Sequence, residues 1–169
     1  MKVINVLFYA IWLFVIAVLQ PTLISSISVF GIAPNLFLVF VLAAAMIKGK
    51  KTGAVCGFVY GLVFDFIIGR MIGVNALLYM YAGLFAGLLC ERFISGTGSV
   101  AATVIVFAIS MISGIVYYIA YNMVWGGLGF WLAFTRVIIL ESLYSSVLCF
   151  VIYRLIEKSF GLINRRYGI

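Results

Sequence analysis

Few residues in this 169-residue chain could carry out acid–base or nucleophilic chemistry. The chain has no histidine and only four acidic residues. Without histidine, neither a Ser-His-Asp nor a Cys-His arrangement can form. Asp65, Glu91 and Glu141 lie far apart in the sequence, so no pattern indicates a carboxylate pair for general acid–base catalysis. The sequence therefore predicts a protein that is not an enzyme.

No spacing in the sequence indicates a metal site or a bound cofactor. Cys56, Cys90 and Cys149 each lie in or beside an apolar run and form no Cys-x-x-Cys pair. We interpret them as small packing residues, and we expect neither a metal nor a cofactor. The segments SGTGS and GGLGF lack the residues that complete a phosphate-binding loop or a dinucleotide fingerprint, so both are predicted turns.

The most informative pattern is the segment GAVCGFVYGLVFDFIIG, residues 53–69. Every fourth position holds a glycine or an acid, namely Gly53, Gly57, Gly61, Asp65 and Gly69. Four residues are about one helical turn, so these positions share one stripe of a helix.

Glycines at this spacing let another helix backbone approach closely, which favours helix association in lipid. A later apolar run, preceded by Gly73, carries Gly83 and Gly87 at the same spacing. The two runs can pack as a hairpin, and we expect all of these glycines to be helix-packing or partner-binding residues. Two interpretations stay open: the stripes hold only the chain's own bundle together, or one of them receives a helix of another protein.

The composition places these runs in a membrane. The chain is 67% hydrophobic and 9% charged, with a mean hydropathy of +1.32, whereas soluble domains average roughly 25% charged residues. Long continuous apolar runs predict transmembrane helices. The formal charge of +7 does not indicate nucleic-acid binding, because the cations stand at the ends of apolar runs, where they face lipid headgroups. We interpret most aromatic residues as lipid-facing or interfacial.

We predict an all-α integral membrane protein, a six-helix transmembrane bundle that forms one polytopic domain over residues 1–169. The predicted spans are residues 3–19, 27 or 34 to 47, 52–68, 73–90, 100–125 and 131–156. With a cytoplasmic N-terminus, nine of the eleven cations lie on the cytoplasmic side, as the positive-inside rule favours. Both termini are then cytoplasmic, and only Arg70 and Arg136 stand at outer helix ends.

In this topology, six polar residues from four helices share one depth in the outer leaflet: Asp65, Arg70, Asn75, Asn122, Arg136 and Glu141. An ionised acid within a span costs roughly 2.5–3.5 kcal/mol, so Asp65 needs a partner or water. Ion pairs of Asp65 with Arg136, or of Glu141 with Arg70, would neutralise charge inside the bundle. The alternative is a cavity open to the outside for a small polar ligand or a partner segment.

Several residues form an ordered set along the chain. Gln20 follows the first predicted span, Pro34-Asn35 opens the second, and GFVYGLVFD precedes GVNALLYMYAG. This set resembles the MreD family of bacterial rod shape-determining proteins, best over residues 20–92. Its most specific part is the spacing of Gly57, Gly61, Asp65 and Gly73. One position departs from the family pattern, which has an acid after the proline where this chain has Asn35.

The resemblance implies a non-enzymatic, multi-pass subunit of the cell-elongation machinery in the bacterial plasma membrane. Proteins of this family associate with MreC, a single-span protein with a large extracytoplasmic part, and through it with MreB filaments and peptidoglycan synthases. The family is also similar in fold to the substrate-binding subunits of energy-coupling-factor vitamin transporters. That similarity supplies an alternative function, in which the outer-leaflet polar cluster would contact a vitamin. Homo-oligomerisation also stays open.

Overall fold

The computed structural model describes residues 2–26, 34–68, 71–93, 99–126, 129, 131 and 134–167, and these residues form helices and no strand. The six α-helices are α1 (Lys2–Ser26), α2 (Leu36–Lys48), α3 (Lys50–Ile68), α4 (Val74–Phe93), α5 (Ser99–Trp125) and α6 (Ile139–Tyr167). A π-helical turn, Phe134–Ile138, leads directly into α6. The predicted all-α class is confirmed.

Among the described residues, two helical segments are long and apolar enough to cross a membrane, Val74–Arg92 in α4 and Thr103–Val124 in α5. Two further apolar segments, Leu7–Thr22 and Leu36–Lys48, are shorter. Helix α2 has 13 residues, or about 20 Å at 1.5 Å per residue, against a hydrocarbon core of about 30 Å. The helices therefore differ in whether they are long and apolar enough to span a membrane.

Three helix ends differ from the predicted spans. Helix α2 begins at Leu36, because the Asn35 side chain caps it by accepting a hydrogen bond from the backbone N–H of Leu38 at 3.1 Å. Helix α1 continues through Pro21 to Ser26, since membrane helices tolerate an internal proline. Helix α6 continues to Tyr167.

Helix α2 lies at the centre of the bundle, where it contacts each of the other five helices. Its residues from Leu36 to Ala45 are all buried. The Phe40 ring stacks on Trp12 of α1 at a centroid distance of 5.6 Å and on Tyr60 of α3 at 5.0 Å. Large rings thus fill the space around a short central helix.

Five aromatic residues are exceptions to the interpretation of most aromatics as lipid-facing or interfacial. These buried residues are Phe37, Phe40, Tyr60, Phe64 and Tyr79. They contact one another across α2, α3 and α4, with Phe37 and Phe64 at 5.4 Å and Phe64 and Tyr79 at 5.7 Å. The sequence could not separate them from lipid-facing rings, because the protein core and the lipid are both apolar.

The most extensive helix–helix contact joins α3 and α4, and the glycine stripe forms its α3 side. A Cβ built on Gly61 would lie 2.5 Å from the carbonyl oxygen of Asn75, and one on Gly57 would lie even closer to the carbonyl of Tyr79. Real Cβ atoms essentially never come within 3.0 Å of such an atom. Helix α4 therefore occupies the space that these glycines leave.

The α4 side of the contact is built in the same way. A Cβ on Gly53 would lie 2.6 Å from the carbonyl oxygen of Gly83, and Gly83 in turn faces the backbone of Gly53. Gly87 meets the backbone of Lys50. The two small-residue faces that the sequence indicated lie against each other.

Two glycines of the predicted packing set have other placements. Gly69 lies outside the described residues. Gly73 has a φ of +95° and no atom within 4 Å of a built Cβ, so it does not contribute to close packing. It stands in the turn before α4, where a left-handed backbone favours glycine.

We predict that Gly57→Ala lowers the free energy of unfolding by about 2 kcal/mol, because the new methyl group overpacks a backbone contact that cannot yield cheaply. The measurement is the apparent melting temperature of the purified chain in mild detergent. Gly129→Ala is the matched control, since Gly129 is exposed and a Cβ there meets nothing within 4 Å. Equal melting temperatures for the two variants would contradict the prediction.

Candidate functional site

Asp65 is buried, with 2% of its surface exposed, and it hydrogen-bonds to the first turn of α4. Its Oδ2 accepts hydrogen bonds from the backbone N–H groups of Gly73 at 2.8 Å and Ala76 at 3.2 Å. Its Oδ1 accepts one from Nδ2 of Asn75 at 2.8 Å. The carboxylate therefore has three donors within the protein.

These contacts make Asp65 a helix cap that comes from the preceding helix. The carbonyl of Gly73 accepts the backbone N–H of Leu77 at 3.1 Å, so Gly73 occupies the N-cap position of α4. The N–H groups of a first turn lack partners within their helix, and the N-terminus of a helix favours negative charge. Asp65 meets both requirements, and the helix end in turn stabilises a carboxylate in apolar surroundings.

The structure brings together two members of the predicted outer-leaflet cluster, Asp65 and Asn75. Asn122 is exposed on the last turns of α5, and Glu141 is partly buried in the first turn of α6. Arg70 lies outside the described residues, and Arg136 belongs to the π-helical turn, with its side chain also outside the description. The ion pairs considered from the sequence therefore stay predictions.

A second group of buried polar residues centres on Asn35, which belongs to the ordered set of residues that resembles the MreD family. The Asn35 N–H donates to Oγ of Ser145 at 3.3 Å, and Nδ2 donates to the hydroxyl of Tyr79. The Glu141 side chain lies near Asn35 as well. One residue before α2 thus connects α2 with α4 and α6.

Gln20 ties α1 to the same point. Its Nε2 donates to the carbonyl of Pro34 at 3.0 Å, and its Oε1 accepts the N–H of Leu36 at 3.0 Å. Gln20 is 3% exposed, and a buried amide between apolar runs is costly unless it is paired. From the cost of burying this amide, a hydrogen-bonded partner for Gln20 could have been predicted.

We call these residues together the polar end of the bundle: Gln20, Asn35, Asp65, Asn75, Tyr79, Glu141 and Ser145. They come from five helical regions, and the described hydrogen bonds join them to one another or to helix ends. Such an arrangement sets the positions of helices relative to each other. Within the described ranges, no group of three or more His, Cys, Asp or Glu residues could hold a metal ion.

The opposite end of α3 and α4 has a matching contact. Glu91, which lies just beyond the predicted span of residues 73–90, belongs to α4. Its Oε2 is 2.9 Å from Nζ of Lys50, and its Oε1 accepts the backbone N–H of Lys50 at 3.3 Å. Each helix of the pair is therefore capped at its N-terminus by an acid near the C-terminus of the other. We call this second end, with Lys48, Lys50, Lys51 and Arg92, the basic end.

We predict that Asp65→Ala lowers the free energy of unfolding by roughly 2–4 kcal/mol, because it removes a helix cap and leaves buried donors unpaired. Asp65→Asn, which keeps one acceptor oxygen, should lose less. Hydrogen exchange should accelerate at residues 73–77 in Asp65→Ala. Asn122→Ala, at an exposed amide, should stay within about 0.5 kcal/mol of the parent. Unchanged exchange at residues 73–77 would refute the capping role.

We predict that Asn35→Asp destabilises the chain by roughly 2 kcal/mol, because an acceptor replaces the amide donor that meets the Tyr79 hydroxyl and lies near Glu141. The double variant Asn35→Asp, Glu141→Gln should recover at least half of this loss, since the donor and the acceptor then exchange places. Melting temperatures of both single variants and the double variant form the cycle that measures the coupling. Strictly additive effects would show that the two side chains do not interact.

Comparison with known proteins identifies the family of this chain. The family model of the rod shape-determining protein MreD matches residues 1–159, which include every residue of the polar end. No curated protein and no solved structure matches the chain. The match extends well beyond residues 20–92, where the ordered motifs lie, and confirms the resemblance. The chain therefore belongs to the MreD family of rod shape-determining proteins.

Proposed function

We propose that this protein is a non-enzymatic, multi-pass subunit of the rod-shape machinery in the bacterial plasma membrane, where it binds an MreC-like single-span partner. Through that partner it supports lateral peptidoglycan synthesis and acts together with MreB filaments. The observation that carries the proposal is the family match over residues 1–159, because membership in the MreD family implies a role in rod shape determination.

The proposed topology has six spans with both termini in the cytoplasm. Its support is the separation of charge along α2, α3 and α4. Lys48 ends α2, Lys50 and Lys51 begin α3, and Arg92 lies in the last turn of α4. These cations share the basic end, and cytoplasmic loops of membrane proteins carry an excess of Lys and Arg. The polar end then faces the outside.

The glycine stripe acts on partner binding through the fold of the α3–α4 pair. Helix α4 already occupies the space beside Gly57 and Gly61, which leaves that stripe covered within the chain. Asp65 fixes the first turn of α4 at the proposed outer side. The partner would meet a surface whose shape depends on these buried contacts.

The alternative, a vitamin-binding subunit of an energy-coupling-factor transporter, would use the same polar end as a ligand site. Ligand sites present polar groups that converge on an open cavity. The side-chain atoms of Asp65 and of Asn35 hydrogen-bond to groups of the chain itself. We therefore favour the scaffold.

We predict that Gly61→Leu and Asp65→Ala reduce recovery of a tagged MreC-like partner from mild detergent at least several-fold, and that neither restores rod shape to cells lacking the native protein. The reason is the loss of the close α3–α4 contact and of the α4 cap. Gly129→Leu is the control, and size-exclusion profiles separate lost binding from lost folding.

Three results would contradict the proposal. The first is that both variants express normally, keep the partner and restore rod shape. The second is that the parent chain is recovered without any single-span partner or cell-wall synthase. The third is recovery with the ATPase module of a transporter, or with a bound vitamin, which would favour the alternative.

A further inference from the structure

A surface pocket of about 430 Å³ lies at the basic end, beside the start of α3 and the last turns of α4. Pockets that take small ligands measure roughly 300–1,000 Å³. The residues that line it are Lys50, Phe85, Leu88, Leu89, Glu91 and Arg92. Neither the glycine stripe nor the polar end takes part in it, so it is a separate feature of the fold.

The pocket is apolar along its wall and charged at its rim. Phe85, Leu88 and Leu89 are large apolar residues with 55%, 36% and 37% of their surfaces exposed. Leu88 and Arg92 are four residues apart on α4, as are Phe85 and Leu89, so both pairs follow one side of the helix. The seven residue-to-residue steps from Phe85 to Arg92 rise about 10 Å. This length matches the step from a lipid headgroup into the upper part of its acyl chains.

The charge of the rim favours an anion. The only acid among the lining residues, Glu91, pairs with Nζ of Lys50 at 2.9 Å and accepts its backbone N–H. Arg92 is exposed beside this pair, which leaves the lining residues with a net charge of +1. A guanidinium presents a planar fork of donors that matches a phosphate bidentately.

We propose that this pocket binds one anionic phospholipid. The lipid phosphate contacts Arg92 and Lys50, and the glycerol and the first methylenes of the acyl chains lie along Phe85, Leu88 and Leu89. The positive rim selects an anionic headgroup over a zwitterionic one, and the apolar wall selects a lipid over a free phosphate. The inference goes beyond the proposed scaffold function and holds for either orientation of the chain in the membrane.

The experiment is native mass spectrometry of the full chain in mild detergent, titrated with phosphatidylglycerol or with phosphatidylcholine of the same acyl chains. We expect one phosphatidylglycerol per chain at concentrations where phosphatidylcholine binds at least several-fold less. Arg92→Gln should weaken phosphatidylglycerol binding about tenfold, since a charge-assisted contact is lost. Leu89→Gln should weaken both lipids, because it makes the wall polar.

Lys51→Gln is the matched control, because Lys51 is an exposed cation at the same end of α3 and does not line the pocket. It should leave the single tight site intact. Equal losses in Lys51→Gln and Arg92→Gln would show a generally basic surface and overturn the proposal. So would equal binding of the two lipids, or displacement of phosphatidylglycerol by glycerol phosphate at comparable concentrations. Circular dichroism of Arg92→Gln and Leu89→Gln checks that each variant keeps its helical content.

Discussion

A carboxylate placed between apolar helices has to find hydrogen-bond donors inside the protein, since lipid offers none. Asp65 finds them in the first turn of α4, where the N–H groups of Gly73 and Ala76 lack partners within their own helix. The helix end needs hydrogen-bond acceptors and the acid needs donors, so each group supplies the partner that the other lacks. A pairing of this kind requires no cation and ties the end of α3 to the start of α4.

The glycine stripe and the two caps act on the same degree of freedom, the register of α3 on α4. Asp65 fixes one end of the pair and Glu91 the other. Between them, Gly53 and Gly57 admit the α4 backbone to distances that any Cβ would forbid. A slip of one residue would bring side chains into these positions and separate each acid from its donors. Van der Waals contact alone favours close packing in lipid, whereas the caps choose one register among the close-packed ones.

The glycine stripe, the buried acid Asp65 and the all-α class could be predicted from the sequence, because they follow from residue spacing and composition. The sequence did not reveal the partner of Asp65. Every residue except proline has a backbone N–H group, so the sequence does not mark the N–H groups that bind an acid, whereas an arginine partner can be read directly. The separate role of Gly73 could not be predicted for a related reason. The sequence does not distinguish a glycine needed for close helix packing from one needed for a turn. The central burial of α2 was also hidden, because an apolar helix looks the same whether lipid or protein surrounds it.

Asn35 shows how far the contacts of one residue extend in such a bundle. Its side chain caps α2 through Leu38 and donates to the Tyr79 hydroxyl, and Glu141 lies nearby. An amide can do this because it offers an acceptor oxygen and two donor hydrogens. An acid at this position would keep the cap and lose the donors. An amide therefore suits position 35, where it caps α2 and donates to the Tyr79 hydroxyl of α4.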